Sequence, residues 1–266
     1  MGLFDKKCCS ICGNPIGFLQ SNKISDGFYC NTCKAQLSPF HCKSKNDTVS
    51  SIKYEIACCK KNQEKLELFS PTQVFGESVK LYVDNLKLQF VISATGDYLA
   101  EHADVINFSD VRNVCTEVSE SKNEIKFRDS NGGINSFTPR CFAHSYSFYA
   151  IIDTKIPYIN RIKIKLNAQP IDNGQPMIIE MGQNGIINRV VDRLYKGKSY
   201  NGGKSSNTNE VMSSIEYRKY KIMSDNIVQV LTQVPKAPPY VKCPWCGSNI
   251  LRTLAYCNNC GAPINQ

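Results

Sequence analysis

The chain has 266 residues, enough for one large domain or two modest ones, and its 42% apolar content and mean hydropathy of −0.30 are those of an ordinary globular protein. No run approaches the roughly 18 apolar residues a membrane helix needs. The opening MGLFDKKCC has no signal-peptide core, and Lys6 stands where N-myristoylation wants Ser or Thr, so the expected compartment is the cytoplasm. The formal charge of +9 would suit a polyanionic partner, but it gathers at the ends: +3 over residues 1–47, +3 over 235–266 and zero over 68–168.

Those ends are also where most of the 14 cysteines cluster. In a chain without export signals, paired C-x-x-C motifs read as metal sites rather than disulfides. Residues 1–47 carry Cys9-x2-Cys12, then 17 residues, then Cys30-x2-Cys33, the spacing of a zinc ribbon. Cys8-x2-Ile11 makes no such pair, so Cys9 is the expected ligand, with Cys8 in its place as the alternative. Four thiolates close the coordination sphere of Zn²⁺, which argues for a structural rather than a catalytic ion. They also leave each site at −2, which reduces the basic excess at each end to about +1. Redox use of C-x-x-C would need a thioredoxin-like βαβ setting, which the sequence does not offer.

Residues 48–67 predict a connecting helix. Thr48 is a fitting N-cap, and Val49, Ile52, Ile56, Cys59 and Leu66 keep helical spacing. Cys58 and Cys59 then belong to a helix face, and Pro71 follows the helix. From about 74 to 168 the pattern is one of short strands. SVKLYVDNLKLQFVIS holds two that turn near Asp84-Asn85, and EIKFRDSNGGINSFT predicts a hairpin with a type I′ turn at Asn131-Gly132. SYSFYAIID reads as a half-buried strand. NRIKIKLN alternates, with Ile162, Ile164 and Leu166 inward and Arg161, Lys163 and Lys165 outward. That basic row reads either as a solvated strand face or as an anion contact.

Residues 169–234 predict a helical extension. A short helix carries Ile187, Val190, Val191 and Leu194, and a Gly/Ser/Asn-rich mobile loop spans 197–209. A second helix, with Asn207 and Glu210 as its capping pair, would bury Met212, Ile215, Ile222, Ile227, Val230, Leu231 and Val234. Residues 235–266 hold a proline-rich spacer and a second ribbon, Cys243-x2-Cys246, ten residues, then Cys257-x2-Cys260. Gly13, Gly247 and Gly261 each follow a second cysteine, where a tight turn aims amides at the sulfurs. Trp245, the one tryptophan, reads either as packing on a very small core or as an exposed contact.

The stretches MGLFDKKCCSICG, LQSNKISDGFYCNTCK and the helix running into FSPTQVFG resemble a bacterial family of unknown function that opens with a four-cysteine zinc ribbon. In that family the ribbon is often fused to a β-rich module similar to a pleckstrin-homology fold. INFSDVRNV and YSFYAIIDTKIPYINRIKIKLN look like that module here, and the tail looks like a generic zinc ribbon. The resemblance implies metal roles for Cys9, Cys12, Cys30 and Cys33. The expected architecture is therefore α+β: a β-rich, pleckstrin-homology-like domain over 68–168 with accessory helices, flanked by two small ribbons holding two structural Zn²⁺.

No phosphate loop or nucleophile motif is present, and His41, His102 and His144 stand apart, His41 being at most a substitute ligand beside Cys42. The leading expectation is a non-enzymatic scaffold or adaptor that binds a partner protein, with no small-molecule substrate. Nucleic acid, drawn by Lys23, Lys34, Lys43, Lys45, Lys236, Lys242 and Arg252, is the first alternative. An anionic membrane surface, met by Arg161, Lys163 and Lys165, is the second.

Overall fold

The computed structural model describes residues 7–17, 20–172, 174, 177–180, 211–232, 240–251 and 256–263. The expected helix at 187–194, the loop 197–209, the Asn207/Glu210 capping pair, Val234 and nearly all of the proline-rich spacer lie outside them. The fold is mixed α+β and rich in strands, with a small cysteine cluster toward each end.

Two short antiparallel pairs begin it, β1 (Lys7–Cys8) with β2 (Pro15–Ile16) and β3 (Ser21–Ile24) with β4 (Gly27–Cys30). A single helical turn follows, α1 (Asn31–Lys34), and then the long helix α2 (Val49–Glu67). Thr48 caps α2 through a reciprocal box with Ser51, which satisfies two backbone N–H groups the helix cannot pair internally.

The β body contains two four-stranded sheets. In the first, β5 (Gln73–Phe75), β6 (Lys80–Asp84), β7 (Gln89–Ser93) and β8 (Ile106–Asn107) lie in sequence order. In the second, the order is β11 (Arg161–Lys165), β10 (Ile134–Thr154), β9 (Val111–Arg128) and β12 (Ile178–Glu180). Leu81, Val83, Phe90 and Ile92 from the first sheet meet Phe148, Ala150, Ile152, Ile162 and Ile164 from the second in one core. The helix α3 (Ile215–Leu231) completes that core with Tyr220, Ile227 and Leu231. Strand β7 is buried on both faces because Val91, on the side away from this core, packs under Leu66 and Phe69.

The half-buried strand expected at SYSFYAIID is present, as the second half of β10, which runs unbroken from Ile134 with a register shift between Ser136 and Cys141. Its partner β9 is exposed and polar around residues 117–123; the ladder to β10 keeps it extended rather than its own apolar pattern. The hairpin turn is not type I′. Gly132 has φ of +83° but Asn131 is not in the positive region, whereas type I′ needs both. Asp129 instead closes a wider loop, its carboxylate accepting from the amides of Asn131 and Gly133 at 2.9 and 2.8 Å.

A second correction concerns α3, which starts from Ser214 as N-cap. Ile227, Val230 and Leu231 are buried as expected, but Met212, Ile215 and Ile222 are exposed. Counting back from Ile227 in helical steps reaches Ser224 and Tyr220, which are buried, whereas Ile222 lies about 140° away. Tyr217 meets Phe148 edge-on and Tyr220 stacks on it, and Tyr220 donates its hydroxyl hydrogen bond to Glu77, so aromatic residues share the inner face with the aliphatic ones.

Candidate metal centres

The sulfurs of Cys9, Cys12, Cys30 and Cys33 lie within 4.8 Å of one another, and so do those of Cys243, Cys246, Cys257 and Cys260. In the first group, Cys9 and Cys33 are 3.8 Å apart, as are Cys12 and Cys30. In the second, Cys243–Cys260 and Cys246–Cys257 are each 3.7 Å apart. A tetrahedron of sulfurs around an ion at about 2.3 Å, the zinc–thiolate length, has edges of about 3.8 Å. Each group can therefore hold one metal ion with little movement, and the donor set suits a soft or borderline cation. Cys9 supplies the first sulfur, while Cys8 sits exposed on β1.

Three of the four cysteine pairs share one backbone geometry. The amides of Cys9, Cys243 and Cys257 each donate to the carbonyl five residues on, at Asn14, Ser248 and Ala262, all at 2.8 Å. Gly13, Gly247 and Gly261 donate back to those same cysteines' carbonyls and hold φ of +78°, +72° and +72°, the left-handed region. Open space surrounds all three glycines, so backbone conformation, not room, selects the residue. The fourth pair is built differently: Cys30 is the N-cap of α1, and its sulfur accepts from the Cys33 amide at 3.4 Å. A helical turn does there what glycine does elsewhere, which explains why Lys34 can follow Cys33.

Backbone donors also prepare the thiolates. Burial raises Cys9, but the amides of Cys12, Cys30 and Ile11 outweigh it and bring it to about 6. In the tail, the Ser248 hydroxyl and amide, with the Asn259 side chain, bring Cys246 down to about 5. Burial and the neighbouring thiols push Cys33 up. Cys260 is lowered by the Ala262 amide, yet burial and three neighbouring thiols together carry it to about 12. Four close thiols cannot all ionise without a cation between them, and a divalent ion supplies that charge.

The other candidate contacts differ in how their surroundings suit the expected roles. Trp245 is 71% exposed and so does not pack over the tail's small core of Cys243, Ile250 and Cys257. Arg161 is held in a two-pronged pair with Asp153 at 2.6 and 3.1 Å, and Lys163 contacts Glu117 at 2.9 Å while lying over the Tyr149 ring. Lys165 reaches toward the Ala168 carbonyl. The basic row is real, but its first two members face carboxylates. Lys242 is exposed on the tail ribbon, while Lys236 and Arg252 lie outside the described residues.

His41 joins neither cysteine group. Its Nδ1 lies 2.8 Å from Glu55 and its Nε2 3.7 Å from Asp47. This pair belongs to a buried polar seam that sequence reasoning missed. The Ser38 amide donates to Glu55 at 3.0 Å, and the Ser38 hydroxyl donates to Asp104 at 2.5 Å. Glu55 and Asp104 are 1% and 5% exposed. One signal was present: Glu55 falls between Ile52 and Ile56 on the inward stripe of α2, where a carboxylate must find partners.

Among the described residues no helix is long and apolar enough to cross a membrane. Neither a curated protein nor a solved structure matches the chain. Residues 7–55, which run from β1 into the first turns of α2, match the model of a domain of unknown function, DUF4428.

Proposed function

We propose that this protein is a zinc-binding, non-enzymatic scaffold or adaptor: two closed zinc ribbons, at Cys9, Cys12, Cys30 and Cys33 and at Cys243, Cys246, Cys257 and Cys260, with a β module that presents a surface to a partner protein. The observation that carries it is the convergence of eight cysteines into two groups whose sulfur separations of 3.7–3.8 Å match a zinc tetrathiolate. Four protein ligands leave no coordination position for substrate, which favours a structural role. Two sheets sharing one core, with α3 packed into it, support the pleckstrin-homology-like reading of the body.

Zinc counted on protein purified without added metal tests the first half. Two ions per chain are expected for wild type and Cys8→Ser, and one for Cys9→Ser. Fewer than two in wild type would refute it. The adaptor half fails if metal-loaded protein retains no partner in an affinity pull-down from its native lysate.

Nucleic acid is the second reading, favoured by the exposure of Trp245 (71%) and Tyr256 (65%) on a tail whose residues 235–266 include no Asp or Glu. Exposed rings and cations suit stacked bases on a phosphate backbone. Single-strand affinity that does not weaken with salt would exclude it.

A further inference from the structure

Helix α2 belongs to two separate cores. Near its start, Ile52 and Ile56 complete the ribbon's core with Ile16, Ile24, Tyr29 and Leu37, where Cys9, Cys30 and Cys33 are themselves buried. At its far end, Leu66, with Phe69 just beyond, packs with Val91 of β7 and with Ala103 and Val105 of the segment before β8, on the side of the first sheet away from the main core. Asn62 clasps the same segment: its Nδ2 donates to the Ala103 carbonyl at 2.7 Å, and its Oδ1 accepts the Val105 amide at 2.9 Å. Between these ends, Ser38 ties Glu55 of α2 to Asp104, and the Cys42 amide donates to Tyr158 at 2.9 Å. The main core of the β body shares none of the residues of these two smaller clusters.

A ribbon core this small does not hold together without its ion. Loss of the ion therefore removes the packing of Ile52 and Ile56 and the anchorage of Ser38 together, while the larger body keeps its own core. We propose that the N-terminal cysteine group is a metal-dependent clamp: loaded, it holds α2 across the outer face of the first sheet; emptied, it releases α2 and uncovers the apolar face at Val91, Ala103 and Val105 while the β body stays folded. The inference rests on the metal reading of the four cysteines and adds regulation to it: metal loading decides which surface the protein presents.

The test is hydrogen exchange, read by peptide, on the full chain as wild type, Cys9→Ser and Cys243→Ser, with zinc counted on the same samples. In Cys9→Ser, exchange over 52–69 and 103–106 is expected to rise about ten-fold or more, while 146–152 keeps wild-type protection. Cys243→Ser, which disables the tail site only, should leave all three segments unchanged. Asn62→Ala should loosen 103–106 with both zincs retained. Unchanged protection at 103–106 in Cys9→Ser, with one zinc lost, overturns the clamp and leaves the metal reading standing. Loss of protection throughout 146–152 also overturns it, because release would then be global unfolding. Fewer than two zincs in wild type, or equal zinc in wild type and a Cys12→Ser variant, overturns the metal reading and the clamp together.

Discussion

Asp104→Asn is expected to stabilise the protein at neutral pH, an unusual outcome for a buried hydrogen-bonded residue. Asp104 is 5% exposed, and its carboxylate accepts a hydrogen bond from the Ser38 hydroxyl. Burial first, and then the nearby Glu55 carboxylate, push its carboxyl from 3.8 up to about 6, against the lowering effect of Ser38. A raised folded-state value means that the native state holds the proton more tightly than the unfolded chain. Asp104's favourable contribution is therefore complete below about 3.8 and is lost as pH rises through about 6. The displacement corresponds to about 3 kcal/mol at pH 7.5 and roughly half of that at pH 5.

Asparagine keeps an oxygen for Ser38 and cannot ionise, but its amide hydrogens need partners, at a cost of about 1 kcal/mol. The expected net gain is about 2 kcal/mol at pH 7.5, falling below about 1 kcal/mol at pH 5. Urea unfolding of zinc-loaded wild type and variant, followed by far-ultraviolet circular dichroism across that range, measures it. A variant destabilised equally at both pH values would refute the reasoning, because Asp104 would then be a well-satisfied anion.

Other outcomes follow from single contacts. Phe148→Ala removes a ring that is 0% exposed and packs against Tyr217 and Tyr220; it should cost about 3–5 kcal/mol in denaturant while leaving the tail's zinc in place. Gly247→Ala meets no atoms but must hold φ near +72°, so a loss of about 1 kcal/mol is expected, read as several-fold weaker zinc retention against a chelator, with Gly247→Asn close to wild type. Glu77 is held at about 2 by the Tyr220 hydroxyl, the Ala168 amide and Lys219, so its contribution is present above about 4.5 and disappears as pH falls toward 2. Its partial exposure limits Glu77→Gln to about 1 kcal/mol in neutral-pH urea unfolding. Lys163→Ala should change stability by less than about 1 kcal/mol, with the difference shrinking in high salt.

The two four-cysteine groups were legible because their chemistry is local. Two residues between cysteines, a glycine after the pair and a second pair at ribbon distance describe a site whose parts are neighbours in the chain. Helix α2 was legible for the same reason, through Thr48 and the spacing of Ile52, Ile56 and Leu66. The alternation of Arg161–Lys165 likewise announced which side chains of β11 face the core. The inner face of α3 was half legible: aliphatic residues at 227, 230 and 231 marked it, but Tyr217 and Tyr220 matter through rings on β10 that no local pattern reveals.

What the sequence by itself determined is therefore which sulfurs can meet, where α2 lies and how strand faces alternate, all consequences of spacing over a few residues. Tertiary structure decided the rest. It extended the polar strand β9 by pairing it with β10, and it matched Arg161 and Lys163 with carboxylates from other strands. It also buried Glu55 and Asp104 in a seam between residues 38 and 104. Those outcomes depend on which distant segments come together, and burial energies act on that arrangement, not on the order of residues along the chain.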